Sequence, residues 1–485
     1  MKRSIRQSIS ALKGIQSQYL LGDDVFDVAT SMLMIKFLST RADAAFEELI
    51  SGWMDEGMSR KNSMALALSS DLPHYPKDLQ RWAGLTGQPE GEIASGFVQI
   101  CSELNQLDAL SGLFEFARLE KIQKYPGGAL RDIIAWVDRG TKERSLERAP
   151  ELFEELLNTV MNTRLGTAAT HPILCDLMVS LLDVTGDFYV YDPACGVGEL
   201  LIETMRRAET NQIETVLCGQ ELNEETLRLC RLRLAFKTEL SPNIASGHTL
   251  LAPGHPRGTE LRTYDRIICD VPFSGVIDQH DLRHDKYGRF AVSSTADSKT
   301  RLYLSFIEHV LATMGANGKA VLLVPGSLLY GGGAEAQMRE VLVESSVLES
   351  AILLPKMWLS KFTSAAVIVL SKSDRIDVSS EDVVFVDATV YDRHGRTLMS
   401  KLVLEEVVAL ARGAETSENV QAISKETLRN RSYVIQLDQV QTVLSKDKDV
   451  AFEDEIASLR ESHGKLCDQL SASLRKLNEL VNDHA

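Results

Sequence analysis

The sequence predicts an α/β protein: a Rossmann-like, doubly wound sheet with an N-terminal helical domain and a C-terminal helix. Strands and helices alternate between about residues 185 and 372, which is typical of a parallel sheet with helices on both faces. Within this region, residues 188–203 have the pattern of a buried strand, a glycine turn and the start of a helix. Because glycines let a ligand approach the backbone closely, the turn is a candidate binding site. The alternative is a purely structural strand–turn–helix unit.

The composition is that of an ordinary soluble protein. Of the 485 residues, 44% are hydrophobic and 25% are charged, which fits two or three domains. No segment reaches the roughly 18 consecutive apolar residues of a membrane span, and the N-terminus lacks the pattern of a secretory signal. The seven cysteines have no CxxC spacing, and metal-ligand clusters are absent. We therefore expect reduced thiols, no bound metal, no membrane association and a cytoplasmic location.

The net charge of −16 bears on nucleic-acid binding. A protein that grips DNA by itself usually has a basic excess, because phosphate contacts dominate affinity. If this chain acts on DNA, either a partner supplies much of the grip or its basic residues are concentrated on one face. Segment 119–144 carries many of the basic residues of the N-terminal part. It is interpreted either as a solvated helical face or as a DNA-facing patch.

Four parts are expected along the chain. The N-terminal helical domain covers residues 1–155, the α/β domain covers 156–375, and a small mixed α/β extension covers 376–450. Residues 451–485 are predicted to form one heptad helix for partner docking, because apolar residues from Phe452 to Leu480 recur at alternating spacings of four and three. That helix either pairs with a partner or folds back onto its own domain.

The N-terminal domain is predicted to be helical throughout. Apolar helical patterns cover Val25 to Leu38, Ala109 to Phe116 and Ala129 to Val137. A further helix over residues 173–182 is expected to pack on the sheet and to deliver the loop before it to the sheet edge. The glycine turn follows this helix in the chain.

The glycine turn and the following strand predict a nucleoside-type ligand. Asp192 ends the first strand, and Gly196 and Gly198 form the turn. The next strand, Thr215 to Glu221, ends in an acid at the distance from the turn at which such an acid accepts hydrogen bonds from ribose hydroxyls. The fuller G-x-G-x-x-G motif of dinucleotide sites is missing. A short glycine loop that begins with an aspartate suits an adenosyl ligand without phosphates, and S-adenosylmethionine is the obvious one.

A second candidate site follows the fourth predicted strand. Asp270, Val271, Pro272 and Phe273 come directly after the predicted strand 266–269, on the ligand-bearing edge of an open α/β sheet. Methylation of adenine requires oxygen acceptors for the two hydrogens of the amine and an aromatic ring that stacks on the base. Asp270, the Val271 carbonyl and Phe273 could fill these roles. The alternative is an aspartate that caps a turn, with Pro272 and Phe273 as packing residues.

The rest of the α/β region continues the pattern. Residues 279–300 are polar and poor in helix signals, so they are predicted to be a mobile loop, with DNA contact as one use for it. Further strands and helices are expected over 302–314, 318–325, 335–345, 348–355, 364–370, 382–388 and 404–411.

Several linked motifs resemble the methylation subunit of type I restriction–modification systems, an N6-adenine DNA methyltransferase family. They are DPACGVGELL (192–201), CGQELNEET (218–226), RIICDVPF (266–273) and two longer stretches at 318–342 and 348–372, in the order and spacing of that family. The segment YLLGDDVFDVATSMLMIKFLS (19–39) is similar to the family's helical domain, and 383–398 with 423–435 to its C-terminal part. The resemblance thus covers nearly the whole chain.

The resemblance implies methyl transfer from S-adenosylmethionine to adenine N6 in DNA by a hetero-oligomer. A separate specificity subunit would read the DNA, often together with a restriction or motor subunit, and this would account for the charge of −16. Asp270, Pro272 and Phe273 would form the catalytic motif, with the target adenine flipped out of the duplex. The cofactor would be held by residues in three motifs, namely Asp192, Ala194, Cys195, Gly196 and Gly198 at the methionine moiety, Glu221 at the ribose, and Thr170, His171, Pro172 and His248 in neighbouring loops.

Three departures from the family pattern fall in these motifs. The family's Asn-Pro-Pro-aromatic is here Asp270-Val271-Pro272-Phe273, so the proline that stiffens the loop is replaced by valine. His248 stands where an acid usually contacts the adenine of the cofactor. His171 replaces the threonine of a Thr-Pro pair, and Thr170 replaces the aromatic residue before it.

These departures leave two other interpretations beside an active adenine methyltransferase. The chain could be a catalytically weak or inactive subunit with a methyltransferase fold that binds DNA or a partner in a defence complex. It could also be a methyltransferase that acts on RNA or protein. The similarity of the N- and C-terminal parts to the type I family argues against the last of these.

Overall fold

The structure is a computed structural model in which the backbone is described for thirteen segments, and side chains are described there except at residues 2–6, 68, 69, 119, 120, 392, 393 and 401. These segments are residues 2–69, 82–107, 110–114, 119–142, 144–161, 170–186, 188–237, 243–295, 299–355, 364–372, 382–393, 401–413 and 417–437. The predicted heptad helix at 451–485 lies outside them, and its docking role remains a prediction.

The N-terminal part is helical in its described residues, as predicted. Its eight helices are α1 (Lys2–Gln18), α2 (Val25–Asp55), α3 (Arg60–Ser69), α4 (Trp82–Thr86), α5 (Ile93–Asn105), α6 (Leu119–Ile122), α7 (Gly127–Thr141) and α8 (Ser145–Val160). The predicted helix over 109–116 is wrong in its described residues, because 110–114 form turns. Leu110, Leu113 and Phe114 are buried there nonetheless. The apolar residues of this segment therefore contribute to the core from turns and not from a helix.

The central element is a nine-stranded sheet with the order β11-β10-β8-β9-β7-β4-β1-β2-β3. Two further strands pair with each other outside it. The bounds are β1 (Phe188–Asp192), β2 (Thr215–Glu221), β3 (Asn243–Ser246), β4 (Tyr264–Asp270), β5 (Val276–Asp278), β6 (Lys299–Arg301), β7 (Met314–Pro325), β8 (Leu348–Leu353), β9 (Ala365–Ser371), β10 (Val383–Asp387) and β11 (Val420–Ile423).

The strand directions give the sheet one edge at which its ligand-bearing loops meet. β1 pairs in parallel with β2 and with β4, and β4 pairs in parallel with β7. β9 runs antiparallel between β7 and β8, and β11 runs antiparallel to β10. The chain moves outward from β1 to β3 and then returns to the other side of β1 at β4. This reversal is the topological switch point at which open α/β sheets bind ligands.

Helices cover both faces of the sheet, so the predicted α/β fold is confirmed. The remaining helices are α9 (Pro172–Leu181), α10 (Glu199–Thr210), α11 (Glu224–Ala235), α12 (Gln279–Arg283), α13 (Leu302–Thr313), α14 (Ala334–Glu344), α15 (Val390–Arg393), α16 (Lys401–Ala411) and α17 (Lys425–Asn430). One apolar core includes residues of α9, α10, α11 and α16, and the other includes residues of α13, α14 and α17. The 382–437 region joins the same sheet through β10 and β11.

The N-terminal helices pack against α11 of the sheet region. The Phe236 ring lies 5.1 Å from the Phe37 ring and 5.0 Å from the Phe153 ring, measured between centroids. Arg228 on α11 forms a buried ion pair with Asp27 on α2. These contacts hold the helical part beside the glycine turn. The turn follows β1, and α11 follows β2, which is the neighbouring strand.

The prediction of a loop over 279–300 is wrong at the two ends of that segment, whereas residues 284–292 lie outside helices and strands. The segment begins with α12 and ends in β6, which pairs antiparallel with β5. Arg289 and Phe290 between them are buried. Within the described residues, no helix has the length and apolar character that a membrane crossing requires.

Candidate active site

A cavity of about 270 Å³ opens at the switch point of the sheet. It contains side chains from the ends of three neighbouring strands: Asp192 of β1, Glu221 of β2 and Asp270 of β4. The described residues that line it are Met161, Thr170, Asp192, Ala194, Cys195, Gly196, Val197, Glu199, Leu200, Glu221, Asn223, Thr226 and Asp270. The glycine turn, the ribose-type acid and the aspartate after β4, predicted from separate motifs, therefore share one cavity.

The two glycines of the turn are required for different reasons. Gly196 has φ +56°, and a Cβ built there would meet nothing within 4 Å. Gly198 has φ +84°, but a Cβ there would lie 2.9 Å from the sulfur of Cys230. Both backbone conformations favour glycine. Gly196 alone borders the cavity, whereas Gly198 is required by packing and is not among the lining residues.

Glu221 holds the turn from the opposite strand. Its carboxylate accepts a hydrogen bond from the Gly196 amide at 3.0 Å and another from the Asn223 amide at 2.8 Å. A carboxylate has about four acceptor positions. Glu221 can therefore bind the turn and still accept hydrogen bonds from ligand hydroxyls.

Asp192 is almost completely buried at the end of β1. Its carboxylate accepts a hydrogen bond from the Ala194 amide at 3.1 Å. Burial, together with the negative charges of Asp270 and Glu221, raises the pKa of Asp192 to about 8 against the opposing effect of the Ala194 hydrogen bond. The proton on this carboxyl group is therefore held near neutral pH, and the group shapes the turn more than it contributes fixed charge.

Asp270 lies on the other side of the cavity, at the end of β4. Its Oδ2 atom accepts a hydrogen bond from the Thr170 hydroxyl at 2.9 Å. Thr170 lies in the loop before α9, next to the N-cap His171. The sequence predicted that the helix at 173–182 brings this loop to the sheet edge. The structure thus brings Thr170 and Asp270 to the cavity together, although 100 positions separate them in the chain.

The residues after Asp270 are held by the sheet. The Val271 amide donates a hydrogen bond to the Leu323 carbonyl of β7 at 3.2 Å, and the Val271 side chain is buried. Pro272 and Phe273 are half-buried, and Phe273 packs against the cores on both faces of the sheet. Neither Pro272 nor Phe273 lines the cavity, so the stacking role of Phe273 remains a prediction.

Of the four residues predicted in the neighbouring loops, the three other than Thr170 stabilise the local backbone. His171 is the N-cap of α9, where its Nδ1 accepts a hydrogen bond from the Ile173 amide at 3.3 Å, and Pro172 is the first residue of that helix. His248 accepts a hydrogen bond from the Leu250 amide at 3.3 Å, and burial lowers its pKa. None of the three lines the cavity, and their cofactor contacts remain predictions.

Several cavity residues were not singled out from the sequence. Glu199 follows the glycine turn directly, and burial raises its pKa while the nearby Arg233 opposes that rise. Asn223 is the N-cap of α11 and accepts hydrogen bonds from the amide and the hydroxyl of Thr226. The Asn-Glu-Glu-Thr sequence at 223–226 is a helix-start signal and could have indicated Asn223 and Thr226. Met161 had no comparable signal.

A half-buried arginine connects the cavity wall to the N-terminal helices. Arg233 on α11 donates two hydrogen bonds to the Glu154 carboxylate of α8, at 3.0 and 2.9 Å. It also donates one to the Val197 carbonyl at 3.2 Å and lies 3.5 Å from the Glu199 carboxylate. The position of the glycine turn therefore depends on the helical part of the chain.

Curated proteins with similar sequences include methylase subunits of type I restriction enzymes. The type I restriction enzyme MjaVII methylase subunit of Methanocaldococcus jannaschii is 23% identical over 471 residues, which cover 91% of this chain and 78% of that protein. The MpnII methylase subunit of Mycoplasma pneumoniae is 22% identical over 330 residues, which cover 64% of this chain and 58% of that protein.

Solved structures share the fold at low sequence identity. The type I restriction–modification methyltransferase subunit of Streptococcus thermophilus superposes with a TM-score of 0.66 and 16% identity, over 90% of this chain and 97% of that one. A modification subunit of a putative type I restriction enzyme from Vibrio vulnificus gives a TM-score of 0.65 and 17% identity, over 87% and 92% of the two chains. The sequence profile described as N-6 DNA Methylase matches residues 150–449, which include every described strand of the central sheet. With this match over more than half of its length, the chain belongs to the N-6 DNA methylase family.

Proposed function

We propose that the chain is the methylation subunit of a type I restriction–modification complex and transfers a methyl group from S-adenosylmethionine to adenine N6 in DNA. The single observation that carries this proposal is the shared cavity. The glycine turn at Gly196, the acid at Glu221 and the aspartate at Asp270 border the same space. A binding module without catalysis would have no need of a carboxylate at the end of β4 on that space.

The residues fit an adenosyl cofactor with a positively charged sulfonium. Four carboxyl groups line the cavity, and among the lining residues that the structure describes there is no lysine, arginine or histidine. This favours a cation over a phosphate, because a phosphate would face only negative or neutral groups. Gly196 presents backbone and open space, and Glu221 offers acceptors for ribose hydroxyls. S-adenosylmethionine would supply an electrophilic methyl group there.

The chain's own contribution to the reaction is at the adenine amine. Asp270 would accept one hydrogen of the amine, and the Val271 carbonyl would accept the other. This arrangement draws the nitrogen lone pair out of conjugation with the ring and gives the departing proton an acceptor. The hydrogen bond from the Val271 amide to the Leu323 carbonyl holds the Asp270–Val271 peptide against β7, directly before the Val271 carbonyl, and so limits movement of the chain that carries both acceptors.

A partner is part of the proposal. The relatives are named as subunits of type I restriction enzymes, and the net charge of −16 gives this chain little general affinity for DNA. We infer that a specificity subunit reads the DNA sequence and that a restriction subunit can join the complex. A cytoplasmic location follows from the same role.

The test is methyl transfer by the chain reconstituted with the specificity protein of the neighbouring reading frame. Radiolabelled S-adenosylmethionine and duplex DNA should give labelled N6-methyladenine. We expect Asp270→Ala to lower the rate constant by roughly 10²-fold or more, since it removes a proton acceptor, with little change in calorimetric cofactor affinity. Glu209→Ala, at an exposed position in the last turn of α10, is the control.

Three results would contradict the proposal. Absence of methyl incorporation by the wild-type complex that binds both DNA and cofactor would indicate a non-catalytic subunit in a defence complex. An Asp270→Ala variant with wild-type phage restriction would indicate the same. Labelled RNA or protein in place of DNA would identify a different substrate class.

A further inference from the structure

Thr170 and Asp270 form a hydrogen-bonded pair at the cavity that holds the predicted reaction centre. The Thr170 hydroxyl donates to Oδ2 of Asp270 at 2.9 Å. Both residues are half-buried and both line the cavity. A hydrogen bond with an ionised acceptor is about twice as strong as a neutral one, and the partial exclusion of water strengthens it further.

The position of Thr170 is fixed by the start of α9. The next residue, His171, caps this helix, and Pro172 occupies its first position with the fixed φ that suits it. The Thr170 carbonyl accepts a hydrogen bond from the Cys175 thiol at 3.7 Å. Leu174 and Leu177 anchor the helix in the core beneath the sheet. The hydroxyl is thus aimed at Asp270 by a rigid element and not by a mobile loop.

The chemistry of residue 270 gives this donor a purpose. An asparagine at that position has one acceptor atom and one donor atom, so its amide group has a defined orientation with respect to the adenine amine. An aspartate has two equivalent acceptor oxygens and can rotate between them. A hydroxyl that donates to Oδ2 distinguishes the two oxygens and limits rotation of the carboxylate.

We propose that Thr170 is a positioning residue that acts through Asp270 and orients its carboxylate toward the adenine amine. The inference rests on the proposed function and deepens it. It also gives Thr170 a different role from the cofactor contact that the family resemblance implies, because the hydroxyl proton is committed to Asp270. Thr170 therefore contributes to the rate constant of methyl transfer and not to cofactor affinity.

The test compares three variants in the complex with its specificity partner. Thr170→Val keeps the shape and removes the donor, Thr170→Ser keeps the donor, and Thr210→Val is the control. The Thr210 hydroxyl donates a hydrogen bond to the Arg206 carbonyl within α10, at 2.8 Å and at an exposed position. The rate constant of single-turnover methyl transfer is measured by radiolabel, and the dissociation constant of S-adenosylmethionine is measured by calorimetry.

We expect Thr170→Val to lower the rate constant roughly 10- to 100-fold, as expected for loss of a hydrogen bond to a charged group. The cofactor dissociation constant should change by less than about 3-fold. Thr170→Ser should restore most of the rate, and Thr210→Val should match the wild type. Cofactor binding with normal affinity also shows that the variant is folded at the site.

A double-mutant cycle with Asp270→Asn separates positioning from general loss of structure. In the Asp270→Asn background the hydrogen bond is neutral, so the effect of Thr170→Val on the rate should shrink to a few-fold or less. Equal effects of Thr170→Val in both backgrounds would show that the hydroxyl does not act through Asp270. They would overturn the inference even if the single variant is slow.

The failure of this inference can be distinguished from the failure of the proposed function. If the wild-type complex methylates DNA but Thr170→Val changes only the cofactor dissociation constant, Thr170 is a cofactor contact and the inference is wrong. An unchanged rate in Thr170→Val has the same consequence. If the wild-type complex transfers no methyl group, the proposed function fails, and the positioning role fails with it.

Discussion

At the scale of single residues, the Val271 amide compensates for the proline that the family has at that position. A proline would fix φ but could donate no hydrogen bond. Valine leaves φ free, yet its amide is bound to the Leu323 carbonyl at 3.2 Å. The loop after β4 is therefore held by a hydrogen bond to β7 where a ring would otherwise hold it. This hydrogen bond gives the segment Asp270-Val271-Pro272-Phe273 the rigidity that its proposed catalytic role needs.

Gly196 offers a test of the cavity that does not depend on catalysis. We expect Gly196→Ala to lower cofactor affinity at least about 10-fold, because the added methyl group would enter the space beside the turn. It should also lower the free energy of unfolding by about 1–2 kcal/mol, because φ +56° is strained for alanine. Calorimetry and urea denaturation measure the two effects.

Gly186→Ala is the matched control for that experiment. Gly186 has φ +70° and open space around a built Cβ, as Gly196 has, but it lies in the loop before β1 and away from the cavity. Its variant should lose similar stability and bind the cofactor normally. Equal loss of affinity in both variants would show that the effect at Gly196 is general strain.

Asp192 should make the stability of the protein depend on pH. Its pKa is raised to about 8 in the folded state and is near 4 in the unfolded chain. The folded state therefore binds the extra proton, and the contribution to the free energy of unfolding is lost as pH rises through about 8. Between pH ~6.5 and ~8 we expect stability to fall, and above that range the contribution should level off.

The Asp192→Asn variant isolates this effect in urea denaturation at several pH values. Asparagine keeps the acceptor for the Ala194 amide and cannot ionise, so the slope over this pH range should become smaller. Below pH ~6.5 another group acts in the opposite direction, because burial lowers the pKa of His309 to about 3. An unchanged slope in Asp192→Asn would assign the pH dependence to other groups.

At the scale of elements, one buried ion pair joins α2 to α11. Asp27 and Arg228 are 10% and 5% exposed in their side chains. Removal of one partner leaves a buried charge, so Asp27→Ala should lower the free energy of unfolding by about 3–5 kcal/mol. Urea denaturation measures the change. The combined replacement Asp27→Leu with Arg228→Met should cost less than Asp27→Ala.

A more exposed ion pair provides the comparison. Arg207 of α10 and Asp176 of α9 lie 2.6 Å apart, with side chains 28% and 33% exposed. Asp176→Ala should cost only about 0–1 kcal/mol, since solvent screens the pair. If Asp27→Ala costs no more than Asp176→Ala, the helical part is not joined to the sheet through this contact.

The segment from α12 to β6 shows why an element can escape a pattern-based prediction. Its order depends on Arg289, which donates hydrogen bonds to the Leu250 carbonyl at 2.6 Å and to Nδ1 of His309 at 2.8 Å. Because burial lowers the pKa of His309 to about 3, the neutral imidazole can accept that bond. These partners are distant in sequence, and no local periodicity reports them.

At the scale of the whole molecule, the charge of −16 predicts weak binding of DNA by the chain alone. At physiological salt we expect a dissociation constant above the roughly 10⁻⁴–10⁻⁶ M of ordinary non-specific binding. Fluorescence anisotropy with a labelled duplex measures it, and the same titration with the specificity partner added is the comparison. Micromolar affinity of the isolated chain with a steep salt dependence would show that one of its faces carries a sufficient basic patch.

The sequence by itself determined the order and bounds of most elements. The strand over Thr215–Glu221 was predicted to the residue, because apolar strands between turn signals carry their own local pattern. The glycine turn and the Asp270 motif were likewise visible as short stretches. The predictions that were wrong also rested on local patterns. Residues 110–114 have an apolar pattern but form turns, and the polar segment 279–300 contains α12 and the start of β6.

Only the tertiary structure decided which residues meet. Thr170 contacts Asp270, Val271 contacts Leu323, and Arg233 contacts Glu154, and each pair joins segments far apart in the chain. Such contacts depend on strand order and helix packing, which a single sequence does not encode as a local signal. The element pattern was therefore readable from the chain, whereas the shape and charge of the cavity came from the way the sheet folds at its switch point.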